Sequence, residues 1–225
     1  MLMMKNDISL IKNKINTAEV LFFDLDGTLI DTEPLYYRFW KEASKYYGYE
    51  LSHEEALLMR SRDKQSAIDF LNIVSNGLLD YYKVKEKRIE LMDEYLKDHP
   101  IRMKEDAYSL LKKLKKEGKK IFIVTANTVE KAERIIKEVG FLYLLDGIIS
   151  AKDVKRGKPF PDVFLFASKY VNKNPEEIIV FEDSPNGLMS SHSAGCFTIM
   201  VEDMSNYDPS MDYVDAYIHN FHEIL

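Results

Sequence analysis

Val20-Leu21-Phe22-Phe23-Asp24-Leu25-Asp26-Gly27-Thr28 is the stretch on which the reading of this chain turns. Its first four residues form an apolar, β-rich run without alternation, the pattern of a strand buried on both faces of a parallel sheet. The run then stops at two carboxylates set two positions apart. In extended backbone, positions i and i+2 point to the same side. Asp24 and Asp26 therefore face one place beyond the carboxyl end of a strand, where open α/β sheets bind ligands. Two like charges gathered there call for a counter-charge. Mg2+ supplies one, because it takes oxygen ligands, often one or two carboxylates, and keeps positions for water and phosphate. Asp-Gly is also a common turn dipeptide, so a plain turn is the competing reading of the same string.

Outward from this stretch, similar apolar runs occur at residues 121–124, 148–149, 178–181 and 197–200. Between them lie helix-period segments. Ala107, Leu110, Leu111 and Leu114 precede a stop at Gly118, residues 129–139 precede Gly140, and residues 163–171 follow a proline. Strand and helix alternate, which predicts an α/β fold: a doubly wound, Rossmann-like parallel sheet. The alternation breaks over residues 33–100, where helical patterns (36–46, 67–74, 85–96) appear without a convincing strand. That segment is expected to be an inserted helical-bundle cap, leaving residues 1–32 and 101–225 as the core domain. Its aromatic residues, among them Tyr36, Trp40, Tyr46 and Tyr49, are at helical spacing and are expected mainly to pack the bundle. A further short helix is expected around residues 7–14.

Bulk composition narrows the partners. With 225 residues and 46% hydrophobic content the chain can bury a sizeable core. Its 31 basic and 37 acidic residues give a formal charge of -6, with no basic stripe for a polyanion, so nucleic acid is not expected as a partner. The single cysteine, Cys196, stands beside Phe197 and Ile199 and reads as a packed thiol in a reducing compartment. Residues 1–5 lack a signal-like apolar region, and no apolar run approaches membrane length. A cytoplasmic protein without membrane contact is expected.

Three more strings carry chemistry. Phe181-Glu182-Asp183-Ser184 puts a second acidic pair at the end of the fourth run. Alone, Asp183 or Ser184 reads as a helix N-cap. If that strand neighbours the first, Asp183 joins Asp24 and Asp26 in an oxygen-rich metal cage. Thr125-Ala126-Asn127 ends the second run just before a helix, where a hydroxyl and free backbone N–H groups suit an anion. Gly157-Lys158-Pro159 holds a lysine between conformationally restricted neighbours, as a fixed cation should be held. Singly, the last two read equally well as a cap and a solvated lysine.

Taken in this order, the motifs resemble those of the haloacid dehalogenase-like (HAD) hydrolases, in particular the helical-capped branch of β-phosphoglucomutase-like enzymes and sugar-phosphate phosphatases. The resemblance runs over nearly the whole chain after Ala18. It implies that Asp24 is a covalent nucleophile forming an aspartyl phosphate, and that Asp26 is its acid/base partner. It implies Mg2+ held by Asp24, Asp183 and the backbone carbonyl of Asp26, with Glu182 as a direct or outlying ligand. Thr125, the amide of Ala126 or Asn127, and Lys158 would hold the phosphoryl oxygens. Glu33, at the hinge, and Arg62, in the segment Ser61-Arg62-Asp63, would serve substrate choice from the cap. The implied activity is phosphatase action on a small phosphorylated metabolite by a monomer; a phosphomutase and a non-catalytic binding module are the alternatives. Mutases of this type carry a histidine where Tyr36 stands, which favours the phosphatase. The presence of Asp26 argues against dehalogenation, which has no leaving oxygen to protonate.

Overall fold

A computed structural model describes residues 6–60, 62, 64–204 and 212–225. Ser61, Asp63 and residues 1–5, which entered the readings above, lie outside the described residues. In chain order the helices and strands begin with α1 (Ile8–Thr17) and β1 (Val20–Phe23). Next come α2 (Glu33–Tyr46), α3 (His53–Arg60), α4 (Lys64–Val74) and α5 (Tyr81–Leu96). There follow α6 (Ala107–Lys116), β2 (Lys120–Thr125), α7 (Val129–Val139), β3 (Gly147–Ser150) and α8 (Asp162–Tyr170). The chain closes with β4 (Ile178–Glu182), α9 (Pro185–Ser193), β5 (Phe197–Val201) and β6 (Ala216–Ile218). It divides into two compact units, Met1–Ile30 with Arg102–Leu225, and Asp31–Ile101.

The first unit is an α/β structure with one parallel sheet in the order β3-β2-β1-β4-β5-β6. β1 is central, with Phe23 in register with Ile123 on one side and Phe181 on the other. All four of its residues are buried, which explains the unbroken apolar run: a strand with a polar position would bury an unsatisfied group on one face. Phe23 stacks on Phe181 at 4.5 Å, and Phe22 meets Phe122 edge-on at 6.1 Å. Each fully buried phenylalanine contributes about 1.5–3 kcal/mol. Because the chain continues to β2 on one flank of β1 and reaches β4 on the other, a topological switch point lies at their carboxyl ends.

Two elements were not anticipated. β6 is only three residues long and Tyr217 within it is half-exposed, so no apolar run marks it; it exists because Ala216 and Ile218 pair with Ile199 and Val201. Helix α3 is announced by a reciprocal cap. The Glu55 N–H donates to Ser52 Oγ at 3.1 Å, and the Ser52 N–H donates to the Glu55 carboxylate at 2.8 Å. That Ser-x-x-Glu signature is legible in the sequence, although the segment's apolar periodicity is weak. The expected N-terminal helix is present, capped by the Asp7 side chain.

In the second unit, α2 to α5 pack around Trp40, Ala43, Leu51, Leu71 and Val84. Trp40 stacks on Tyr81 at 6.0 Å. Tyr46 departs from the expected packing role and is exposed, its ring approached by Lys87 Nζ at 4.5 Å.

Candidate active site

The site is built at the carboxyl ends of β1, β2 and β4. Asp24 follows β1, and its N–H donates to the Phe181 carbonyl at 3.0 Å, extending the parallel ladder one residue past the strand. The chain then turns sharply. Gly27, at φ 80°, adopts a left-handed conformation that glycine accepts without a Cβ penalty, and its N–H donates to the Ile30 carbonyl at 2.9 Å. Leu29 N–H closes on the Leu25 carbonyl at 3.0 Å, so the loop carrying Asp26 is tied at both ends.

From β4 come Glu182, fully buried, and Asp183, 5% exposed. Carboxylate oxygens of Asp24, Glu182 and Asp183 lie within 4.8 Å of one another. Lys158 Nζ reaches into this group, donating to Asp24 Oδ1 at 2.6 Å, to Glu182 Oε1 at 2.5 Å and to the Val124 carbonyl at 3.0 Å. The other oxygen of Glu182 accepts from the N–H groups of Asp183 and Ser184, both at 3.1 Å, and from Ser184 Oγ at 3.0 Å. Glu182 is thus heavily committed, acting as the anchor of Lys158 and of the start of α9.

Electrostatics follow from burial. Burial pushes the Asp24 carboxyl up to about 8; the Lys158 ammonium pulls against that rise, and the Glu182 and Asp26 carboxylates add to it. Burial acts to lower the Lys158 ammonium, but Asp24 and Glu182 outweigh it, so the group is held raised and stays charged. Three buried carboxylates with one ammonium leave negative charge in excess, and these hard oxygen donors suit a divalent cation.

The second-strand motif contributes a different contact. Thr125, buried at the end of β2, accepts the Asn127 N–H on Oγ1 at 3.1 Å. Asn127 Nδ2 donates to Asp26 Oδ2 at 2.5 Å, while Ala126 is exposed. Asp24, Asp26, Thr125, Asn127, Lys158, Glu182 and Asp183 therefore come together at one edge of the sheet. Glu33 and Arg62 belong to the helical unit. Glu33 opens α2 and is buried, and the Arg62 guanidinium lies 4.2 Å from the Phe70 ring centroid, with no hydrogen-bond partner for its Nε among the described residues.

Three residues that the motif reading did not single out complete the arrangement. Thr28 Oγ1 donates to Asp183 Oδ1 at 2.7 Å and so joins the first motif to the fourth. Ser150 Oγ, at the end of β3, donates to the Asn127 carbonyl at 2.6 Å. Gly187 lies against Glu182 so closely that a Cβ there would stand 1.7 Å from Oε1. Its sequence signal was a glycine inside the first turn of a helix, where alanine is preferred unless something approaches closely. Ser150 had no signal, since its partner Asn127 lies in the loop after another strand.

Residues 21–201 match the family of haloacid dehalogenase-like hydrolases. The chain is 31% identical over 202 residues to hexitol phosphatase A of Escherichia coli, covering 90% of this chain and 91% of that protein. It is 27% identical over 181 residues to the phosphorylated carbohydrates phosphatase of Thermotoga maritima, covering 79% and 82% respectively. Among solved structures it is similar to HAD hydrolase, family IA, variant 3 from Entamoeba histolytica, with a TM-score of 0.75 and 28% identity over 92% of this chain and 95% of that one. No helix among the described residues is long and apolar enough to cross a membrane.

Proposed function

The chain belongs to the haloacid dehalogenase-like hydrolases, and from that premise we propose that it is a Mg2+-dependent phosphatase of small phosphomonoesters, sugar phosphates foremost, working through an aspartyl phosphate. It acts as a monomer in the cytoplasm. The observation that carries this reading is the placement of Lys158 between Asp24 and Glu182, at 2.6 and 2.5 Å, with Asp183 closing the carboxylate cluster. A buried cation holding one oxygen of a buried carboxylate orients that carboxylate as a nucleophile and stays to meet the charge of an incoming phosphoryl group.

Asp24, Asp183 and the backbone carbonyl of Asp26 would hold Mg2+, with Glu182 beside them. When bound, the ion offsets the repulsion between a phosphate and a carboxylate nucleophile and stabilises charge on the transferring group. The chain's own residues do the rest. Asp24 forms a bond to phosphorus as the ester P–O bond breaks, and Asp26 gives its proton to the leaving oxygen. Asp26 then takes a proton from the water that attacks the same phosphorus, the bond from Asp24 to phosphorus breaks, and phosphate leaves with Asp24 again a carboxylate and Asp26 again an acid. Thr125, Ala126, Asn127 and Lys158 are the groups assigned to the phosphoryl oxygens. Substrate choice is assigned to the helical unit, with Glu33 and Arg62 as the residues to vary. The relatives' names, a hexitol phosphatase and a phosphorylated carbohydrates phosphatase, support sugar phosphates as the class.

The test is phosphate release from a panel of sugar, hexitol and nucleoside monophosphates, with Mg2+ or with chelator. Release that depends on Mg2+ and falls more than about a thousandfold in Asp24→Asn, with the thermal transition retained, is expected. An active Asp24→Asn variant overturns the covalent route. An isomeric sugar phosphate with little free phosphate makes the protein a mutase instead.

A further inference from the structure

Asn127 is pinned at three points. Its N–H donates to Thr125 Oγ1 at 3.1 Å, its carbonyl accepts from Ser150 Oγ at 2.6 Å, and Nδ2 donates to Asp26 Oδ2 at 2.5 Å. Ser150 is itself buried at the end of β3 and accepts the Lys152 N–H at 3.0 Å, so the support beneath Asn127 is rigid. On the other side, the Asp26 loop is locked by the Gly27 and Leu29 backbone bonds. The contact joins residues 101 positions apart.

We propose that Asn127 is a positioning residue for the proton-transfer step, fixing the orientation of the Asp26 carboxyl; the proposal rests on the phosphatase reading above. The physical reason is the directionality of the amide. Nδ2 only donates, so the oxygen facing it must offer a lone pair. A neutral carboxyl accepts on its carbonyl oxygen and bears its hydrogen on the other. With Oδ2 held by Asn127, the rotation that would turn the carboxyl away is restrained. Positioned proton transfer is worth about 10²–10⁴-fold in rate, and its weight depends on the leaving group. A strongly basic sugar alkoxide needs the proton as the P–O bond breaks. The p-nitrophenolate ion, stabilised by its ring, needs it far less.

The experiment compares wild type, Asn127→Ala and the near-isosteric Asn127→Asp on a hexitol phosphate and on p-nitrophenyl phosphate, with Mg2+ present. The expected result is a loss in kcat on the hexitol phosphate exceeding the loss on p-nitrophenyl phosphate by about tenfold or more in both variants, with KM changing less than kcat. Ser150→Ala is expected to show the same leaving-group bias at smaller size. Equal losses on the two substrates, or no loss on the hexitol phosphate, overturn the proposal while leaving the phosphatase reading intact. If Asn127→Ala fails to fold, Asn127→Asp gives the same readout with the side-chain shape kept. If wild type hydrolyses neither compound, the phosphatase reading falls and this role falls with it.

Discussion

Two buried cations, one in each unit, are handled in opposite ways. The Lys158 side chain, 7% exposed, is matched by the carboxylates of Asp24 and Glu182. Arg88 on α5, 8% exposed, lies over the rings of Tyr36 and Trp40, at 4.9 and 5.1 Å, and its Nε has no hydrogen-bond partner among the described residues. The ring faces offer Arg88 a diffuse negative quadrupole and bury its aliphatic stem. Lys158 instead holds together two formal negative charges that would otherwise repel in a dry site. Depth of burial is therefore a poor guide to what a charged residue does; the chemistry of its neighbours decides whether its removal leaves anything uncompensated.

The comparison is broken most directly at Lys158. Lys158→Met leaves Asp24 and Glu182 facing each other without a cation. It is expected to cost about 3–5 kcal/mol in chemical denaturation and at least about a hundredfold in kcat/KM for phosphate release. A variant as stable as wild type would show that the three groups are not a matched set.

A smaller effect sharpens the account of excess negative charge. Burial holds the Asp24 carboxyl above its ordinary value of 3.8 in the folded chain. Above that value the folded state therefore binds more protons than the unfolded one, and this group's contribution to stability falls as pH rises from about 4. Mg2+ binds the carboxylate and competes with the proton. Thermal unfolding with Mg2+ against chelator is expected to give a larger stabilisation at pH 8.5 than at pH 5.5. An equal shift at both pH values would take Asp24 out of the metal set.

The smallest effect is expected at Arg88. Arg88→Met removes a charge that has no carboxylate partner among the described residues and fills the same space with an apolar chain, so stability should change by no more than about 1 kcal/mol in either direction. A loss of several kcal/mol would mean that the two cations are not the opposites described here.

Much of the α/β architecture was legible because its central strands, β1 and β4, are short and fully buried, so that residues 20–23 and 178–181 carry the burial of both sheet faces in their composition. β6 was not legible, since three residues with a half-exposed tyrosine become a strand only by pairing with β5. The residues that meet at the sheet edge, Asp24, Lys158, Glu182 and Asp183, stood out as motif members through their position after apolar runs. Their partners did not: Thr28, Gly187 and Ser150 acquire their roles only where the fold brings them to the site.

The sequence by itself determined the local chemistry of this protein: which runs are buried on both faces, where carboxylates follow them, and where a lysine sits between glycine and proline. Those are properties of residues a few positions apart, encoded by burial periodicity and backbone restriction. Only the tertiary structure decided which charges meet. Lys158 finds Asp24 across 134 positions and Thr28 finds Asp183 across 155. Asn127 turns its amide to Asp26 because β1 and β2 are paired in a fixed register. Hydrogen bonds and desolvated charges depend on distances of a few ångströms and on the water excluded around them, and both are set by the order of the strands in the sheet.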